Sequence, residues 1–149
     1  MTKKKVKIKK LDDRAQIPTY GSEFSAGADL YAIIDGGEVE VTPGETVLIR
    51  TGIALEIPEE YVGLVFARSG LGTKRGLAPA NKVGVIDSDY RGEIMVSLHN
   101  HSRELQTVSD GERIAQLVIT PFLSAEFIES EELDDTARGE GGFGSTGTK

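Results

Sequence analysis

An all-β fold, a sandwich or barrel, is predicted by three observations. Runs of about four to eight residues alternate apolar and polar side chains. Turn signals part these runs about every ten residues. No stretch sustains an apolar period of about 3.6 residues over several turns. The 149 residues suit a single domain.

The elements follow in order. Val6 and Ile8 alternate with lysines, as in an edge strand whose outer face is charged against aggregation. Asp35-Gly36-Gly37 and Thr42-Pro43-Gly44 are turns, and Thr46 to Thr51 is a strand. Ile53, Leu55 and Ile57 share one face of the next strand, which the turn Pro58-Glu59-Glu60 ends. Tyr61 to Phe66 is apolar on both faces and reads as a central strand. A short helix is expected near Ser69 to Lys74, the only helix candidate. Val85-Ile86 runs into Asp87-Ser88-Asp89-Tyr90-Arg91-Gly92, and a new strand with Ile94, Val96 and Leu98 on one face leaves at Glu93. This reads as a hairpin with its chemistry at the tip. After the turn at Asp110-Gly111, Arg113 to Thr120 is the last strand. Residues 1–137 form the expected core. Residues 138–149 hold five glycines and one large apolar residue, too little burial to offset ordering, so they are expected to be a flexible C-terminal arm.

Composition removes several functions. Without Cys there is no disulfide scaffold, no thiol nucleophile and no Cys-ligated zinc or iron–sulfur site. No apolar run approaches the ~20 residues of a membrane helix, so no membrane partner is expected. The basic start lacks the apolar centre and cleavage site of a secretory signal. The cytoplasm is therefore the expected compartment. Six lysines lie in the first ten residues, while the rest of the chain carries 11 basic residues against 24 acids. Such a body repels a nucleic-acid backbone, and no nucleic-acid partner is expected. The lysine run could serve as a nucleic-acid arm, but its period of two favours a charged edge strand.

Several polar residues stand out. Asp87 follows two large apolar residues, so partial burial and a water-orienting role are expected of it. On spacing alone, an Asp-rich turn is the commoner explanation. Arg68-Ser69-Gly70 joins a guanidinium, a hydroxyl and a free backbone at the start of the short helix. It reads as a phosphate cradle or as a plain strand-to-helix turn capped by Ser69. Gln116 shares a strand face with Ile114 and Val118, so its amide needs a structural partner or a ligand. His99 and His101 share another strand face without an evident third metal ligand, as do Asp87 and Asp89 in their turn. Gly139-x-Gly141-x-x-Gly144 matches a dinucleotide fingerprint but lacks the flanking strand and helix. Gly142 and Gly147 have P-loop spacing, with Thr148-Lys149 in the wrong order.

Five segments in order complete the pattern: Ala26 to Ala32, Arg68 to Gly70, Gly84 to Gly92, Gly111 to Leu117 and Arg138 to Gly147. Together they resemble the ordered motifs of the trimeric deoxyuridine triphosphatases (dUTPases). The resemblance implies a jelly-roll-like β-clip or barrel subunit with one short helix, in a homotrimer whose active sites lie between subunits. It implies an enzyme, a dUTP diphosphatase, that hydrolyses dUTP to dUMP and pyrophosphate. This limits uracil in DNA and supplies dUMP for dTTP synthesis. By resemblance, Asp87 activates the water that attacks the α-phosphorus. The hairpin from Asn81 to Met95, with Val85 and Ile86, holds the uracil, and Tyr90 lies under the deoxyribose. Arg68, Ser69, Gly70 and Gln116 bind phosphate oxygens or the nearby water. In the arm, Arg138 meets the γ-phosphate, Phe143 stacks on uracil, and Gly144, Ser145 and Thr146 offer donors to the phosphates. Mg²⁺ is the implied cofactor, with Asp29 touching it through water.

Two other functions share part of this pattern. The dCTP deaminases resemble the chain around Arg68-Ser69 and Ile86-Asp87, but their catalytic Glu corresponds here to Ser97. A noncatalytic β-sandwich binding module is the other, and it gives no reason for Arg138 and Phe143 on a flexible tail.

Overall fold

A computed structural model describes residues 3–143. Twelve strands and one helix follow each other among these residues: β1 Lys7–Lys10, β2 Thr19–Tyr20, β3 Ala28–Tyr31, β4 Glu38–Val41, β5 Thr46–Arg50, β6 Ile53–Glu56, β7 Tyr61–Phe66, α1 Ser69–Arg75, β8 Leu77–Pro79, β9 Gly84–Ile86, β10 Met95–Asn100, β11 Gln106–Ser109 and β12 Arg113–Pro121. The protein is all-β, as its alternation predicts. The short helix stands where it is expected, one residue longer. Among the described residues no helix is long and apolar enough to cross a membrane.

The strands form four small sheets. Their orders are β2-β3-β12-β7-β9, β5-β10-β8, β1-β6 and β11-β4, and every pairing between these strands is antiparallel. No one sheet closes into a barrel among the described strands. Instead their inner faces share one core, in which Leu30, Val41, Ile53, Leu77, Val96, Leu98, Val108 and Ile114 come from seven different strands and are almost fully buried. Removing one such side chain down to Ala costs about 2–5 kcal/mol. The one fully buried amide, Asn100, is satisfied: its Nδ2 donates to the Val41 and Glu104 carbonyls at 2.8 Å, and its Oδ1 accepts from the Ser102 N–H and Oγ.

The lysine-rich start is a charged edge strand. β1 pairs with β6, Ile8 opposite Leu55, and Lys7 reaches Glu56 at 2.8 Å. The tip around Asp87 is built differently from the expected hairpin. β9 pairs with β7 and β10 pairs with β5 and β8, so the strands on either side of the tip belong to different sheets. The true antiparallel partners are β8 and β10, with Leu98 opposite Pro79. Residues 80–94 form a wide loop between them, and β9 is a short edge strand within it. The reason is burial: Gly84 packs against Val65, while Ile94, Val96 and Leu98 need the core. No two-strand ribbon meets both demands.

The chain beyond β12 has neither strand nor helix through Phe143. It exposes Leu123, Phe127, Ile128 and Leu133 almost fully. Apolar side chains in such number on an extended segment are unusual for a surface that faces only water.

Candidate active site

Most candidate residues of the described chain gather around two clefts that share no lining residue. The first, about 340 Å³, opens inside the wide loop. Asn81, Val85, Ile86, Asp87, Tyr90 and Met95 all line it, together with Leu48, Glu93 and Ser97, which the sequence did not single out as binding residues. Its rim is apolar and uncovered: Leu48 is 59%, Val85 62% and Met95 41% exposed. An uncovered apolar rim of this size suits a flat ring.

The loop's backbone is closed by local bonds. The Ala80 N–H donates to the Ser97 carbonyl at 2.7 Å, Lys82 N–H to Pro79, and Tyr90 N–H to Asp87. Arg91 Nη1 donates to the Ser88 and Tyr90 carbonyls at 2.6 and 3.0 Å. The Tyr90 hydroxyl donates to the Glu93 carbonyl at 3.0 Å. Its ring folds over Gly92, where any Cβ would lie 2.4 Å from the Tyr90 oxygen.

Asp87 is exposed, not partly buried as expected. β9 ends at Ile86 on the edge of its sheet, and the chain then turns outward, carrying the carboxylate clear of the core. Among the described residues no hydrogen bond or ion pair engages its side chain. A charged acceptor on the wall of a cleft and without a protein partner can take a proton from a water.

The second cleft, about 370 Å³, is polar, and its walls include Gly27, Asp29, Arg68, Ser69, Gly70, Arg113 and Gln116. Asp29 is buried on β3 and receives two guanidinium groups: Arg68 Nε at 2.7 Å and Arg113 Nη1 at 3.2 Å. Arg68 Nη1 also donates to the Arg113 carbonyl at 3.4 Å. One carboxylate thus holds two cations, and the site keeps a net positive charge with guanidinium N–H groups to spare. Ser69 and Gly70 open the helix at its rim. The cap position belongs to Arg68, whose extended backbone (φ −88°, ψ 136°) precedes the first turn, so Ser69 is the first helical residue and not the cap. Gln116 donates through Nε2 to the Ala67 carbonyl at 2.8 Å. Its Oε1 lies 2.3 Å from where a Cβ on residue 27 would stand, so any side chain there would displace the Gln116 amide.

The remaining candidates are elsewhere. The His99 and His101 rings meet edge to face at 4.3 Å, and His99 Nδ1 pairs with the Thr46 hydroxyl at 2.8 Å. Desolvation, then the charges of Lys82 and His99, hold His101 below its ordinary value, so it stays neutral at neutral pH. Arg138 is exposed and its Nε donates to the Gly141 carbonyl at 2.7 Å; Phe143 is fully exposed. Gly144, Ser145 and Thr146 lie outside the described residues. No cluster of three metal-binding side chains occurs among the described residues. Both oxygens of Asp29 already accept from arginine, so the described residues offer no direct ligand set for Mg²⁺. The donor chemistry fits only an ion that arrives on the substrate's phosphates and keeps its waters.

Comparison with known proteins converges on one family. The dUTPase family model matches residues 13–147. A deoxyuridine 5'-triphosphate nucleotidohydrolase of Desulfitobacterium hafniense is 51% identical over 146 residues, 97% of this chain and 96% of the relative. One from Nautilia profundicola is 54% identical over 143 residues, 96% of this chain and 99% of the relative. Among solved structures, the Staphylococcus bacteriophage 80alpha dUTPase with dUPNHPP superposes with a TM-score of 0.86 at 31% identity, covering 97% of this chain and 99% of that one. A mutant dUTPase from phage phi11 of S. aureus, in which a structural Mg(II) ion is coordinated, has a TM-score of 0.75 at 26% identity over 87% of this chain and 98% of that one. The chain belongs to the dUTPase family.

Proposed function

We propose that the protein is a dUTP diphosphatase that hydrolyses dUTP to dUMP and pyrophosphate, with water activated by Asp87 attacking the α-phosphorus. Family membership supports the conversion of dUTP to dUMP. One observation carries the residue assignment: the free carboxylate of Asp87 lines the same ring-sized cleft as Asn81, Val85, Ile86, Tyr90 and Met95.

The uracil enters between the loop backbone and the apolar rim. Its edge reads acceptor, donor, acceptor, and main-chain N–H and C=O groups complement that order. Cytosine reverses part of it and leaves buried donors facing donors, which is costly. Tyr90 packs under the deoxyribose. Asp87 takes the proton of the attacking water as its oxygen bonds to the α-phosphorus. The bond from that phosphorus to the bridging oxygen breaks, and pyrophosphate leaves. Arg68, Ser69, Gly70 and Gln116 hold phosphate oxygens or the water. Arg68 presents a guanidinium already fixed by Asp29, so little reorganisation accompanies charge development. Asp29 would meet a triphosphate-bound Mg²⁺ through water, and the ion would supply charge neutralisation.

The clefts share no residue, which supports a site assembled between copies of the chain. In this reading the protein is a homotrimer, one subunit offering the nucleoside cleft and another the anion cleft. The exposed apolar run from Leu123 to Leu133 supports contact with a neighbouring copy. Residues 138–149 act as an arm that covers the substrate: Arg138 meets the γ-phosphate, Phe143 stacks on uracil, and Gly144, Ser145 and Thr146 bind phosphates. The reaction takes place in the cytoplasm, keeps uracil from DNA and supplies dUMP for dTTP synthesis. Pyrophosphate release from dUTP, dCTP, dTTP and UTP, with and without Mg²⁺, tests the reading. Rapid release from dUTP alone supports it, and release of ammonia from dCTP contradicts it.

A further inference from the structure

Glu93 lines the nucleoside cleft, yet its carboxylate is engaged within the protein. Arg50 Nε donates to both of its oxygens, at 3.1 and 3.2 Å, and the Gly52 N–H donates to Oε1 at 2.8 Å. The next residue is tied to the same place. The Ile94 N–H donates to the Ile53 carbonyl at 2.8 Å, and the Ile94 carbonyl accepts from Thr51 Oγ1 at 2.5 Å. Residues 93–94 are therefore stitched to the β5–β6 connection by both side chain and backbone. Arg50 extends the tie to Asp12, at 3.6 Å, and Arg14 holds Asp12 from the other side at 3.0 Å.

These ion pairs are partly exposed and contribute little to stability as such. Their geometric consequence is larger. Tyr90 has two anchors: its hydroxyl donates to the Glu93 carbonyl, and its ring lies on the Gly92 backbone. Both belong to the segment that Glu93 ties down. A shift of residues 92–93 shifts the ring with them.

We propose that Glu93 is a positioning residue for sugar selection: bound to Arg50 and the Gly52 N–H, it sets the height of the Tyr90 ring, so that a deoxyribose fits and a ribose 2′-hydroxyl is excluded. The inference rests on the reading of Tyr90 as the floor under the sugar. Arg50 acts through Glu93 and touches no substrate atom.

The test compares the full-length wild type with Glu93→Ala, Glu93→Gln and Arg50→Met, by pyrophosphate release from dUTP and from UTP. Glu93→Ala is expected to raise KM for dUTP and to lower the dUTP-to-UTP ratio of kcat/KM about tenfold each, with kcat for dUTP changed less than about threefold. Glu93→Gln keeps an acceptor for the Gly52 N–H and recovers most of that ratio. Arg50→Met falls between the two. A merely structural Glu93 lowers the urea midpoint and leaves the ratio of the folded enzyme unchanged, and that result overturns the proposal. If Glu93→Ala does not fold, Arg50→Met decides: a reduced ratio supports the proposal and a wild-type ratio overturns it. Failure of the wild type to turn over dUTP defeats the functional reading itself, whereas an active wild type with unaltered selectivity in the variants defeats only the role of Glu93.

Discussion

The two clefts are built on opposite principles. The proposed nucleoside cleft has an apolar rim and, among the described residues, leaves the Asp87 carboxylate without a protein partner. The anion cleft has polar walls, and its carboxylate, Asp29, is buried under two arginines. A group that must exchange a proton gains from being free, because a strong ion pair would stabilise the carboxylate and weaken it as a base. A group that must present positive charge gains from being locked, because fixed dipoles and charges need not reorganise. In the proposed mechanism the same residue type thus serves as reactant in one cleft and as scaffold in the other.

Exchanging the roles is the strongest way to break this contrast. Asp87→Asn keeps the shape of the cleft and removes the base. Its kcat for dUTP is expected to fall about a hundredfold to ten-thousandfold with KM nearly unchanged, read by steady-state pyrophosphate release. A wild-type kcat removes Asp87 from the chemistry. Ending the chain after Ala137 removes Arg138, Phe143 and the residues beyond. The core is expected to fold, shown by an unaltered urea midpoint, while kcat/KM drops at least about a hundredfold. Full activity in that variant ends the arm's assignment.

Subtler changes sharpen the anion side. Arg68→Lys keeps the charge and loses the fork that reaches both Asp29 and the cleft. KM for dUTP is expected to rise about tenfold with kcat less affected, and an unchanged KM means that Arg68 holds Asp29 alone. Gly27→Ala forces Gln116 to swing away from the cleft and from the Ala67 carbonyl. About 1 kcal/mol of stability should go, with a rise in KM smaller than that of Arg68→Lys.

The smallest expected effect is on pH dependence. Hydrogen bonds from the Arg14 side chain and backbone, with the charges of Arg14 and Arg50, depress Asp12 from 3.8 to about 2. A depressed acid stabilises the fold above its unfolded value and loses that contribution as protons bind in the folded state. The stabilisation from Asp12 is therefore complete above about pH 4 and fades toward about pH 2. Urea midpoints of Asp12→Asn against the wild type across that window check it, and the two curves should converge at the acid end.

Much of the fold could be read from local pattern. Tyr61 to Phe66 reads as a strand because both of its faces are apolar, and it is one, flanked by β12 and β9. The helix at Ser69 shows because the strand pattern breaks at a Ser and two glycines. Pairing is harder, because alternation says which face is buried and not which strand lies alongside. The Asp87 turn illustrates this: two strands either side of a turn suggest a hairpin, yet long-range burial sends β9 to β7 and β10 to β5. That misreading also explains the misplaced expectation for Asp87, whose apolar predecessors stop at a sheet edge. Glu93 was missed for a related reason. A Glu opening a strand reads as a solvated residue, and its partner Arg50 lies 43 positions away. No local signal joins them. The double-arginine tie of Asp29 is likewise invisible in sequence, since it spans 39 and 84 positions.

The central claim is that the free carboxylate in the nucleoside cleft delivers water to the α-phosphorus of dUTP. A single turnover in water enriched with heavy oxygen tests it most directly, with mass analysis of both products. Label in dUMP and none in pyrophosphate is the predicted result. Label in pyrophosphate would mean attack at the β-phosphorus and would contradict the account.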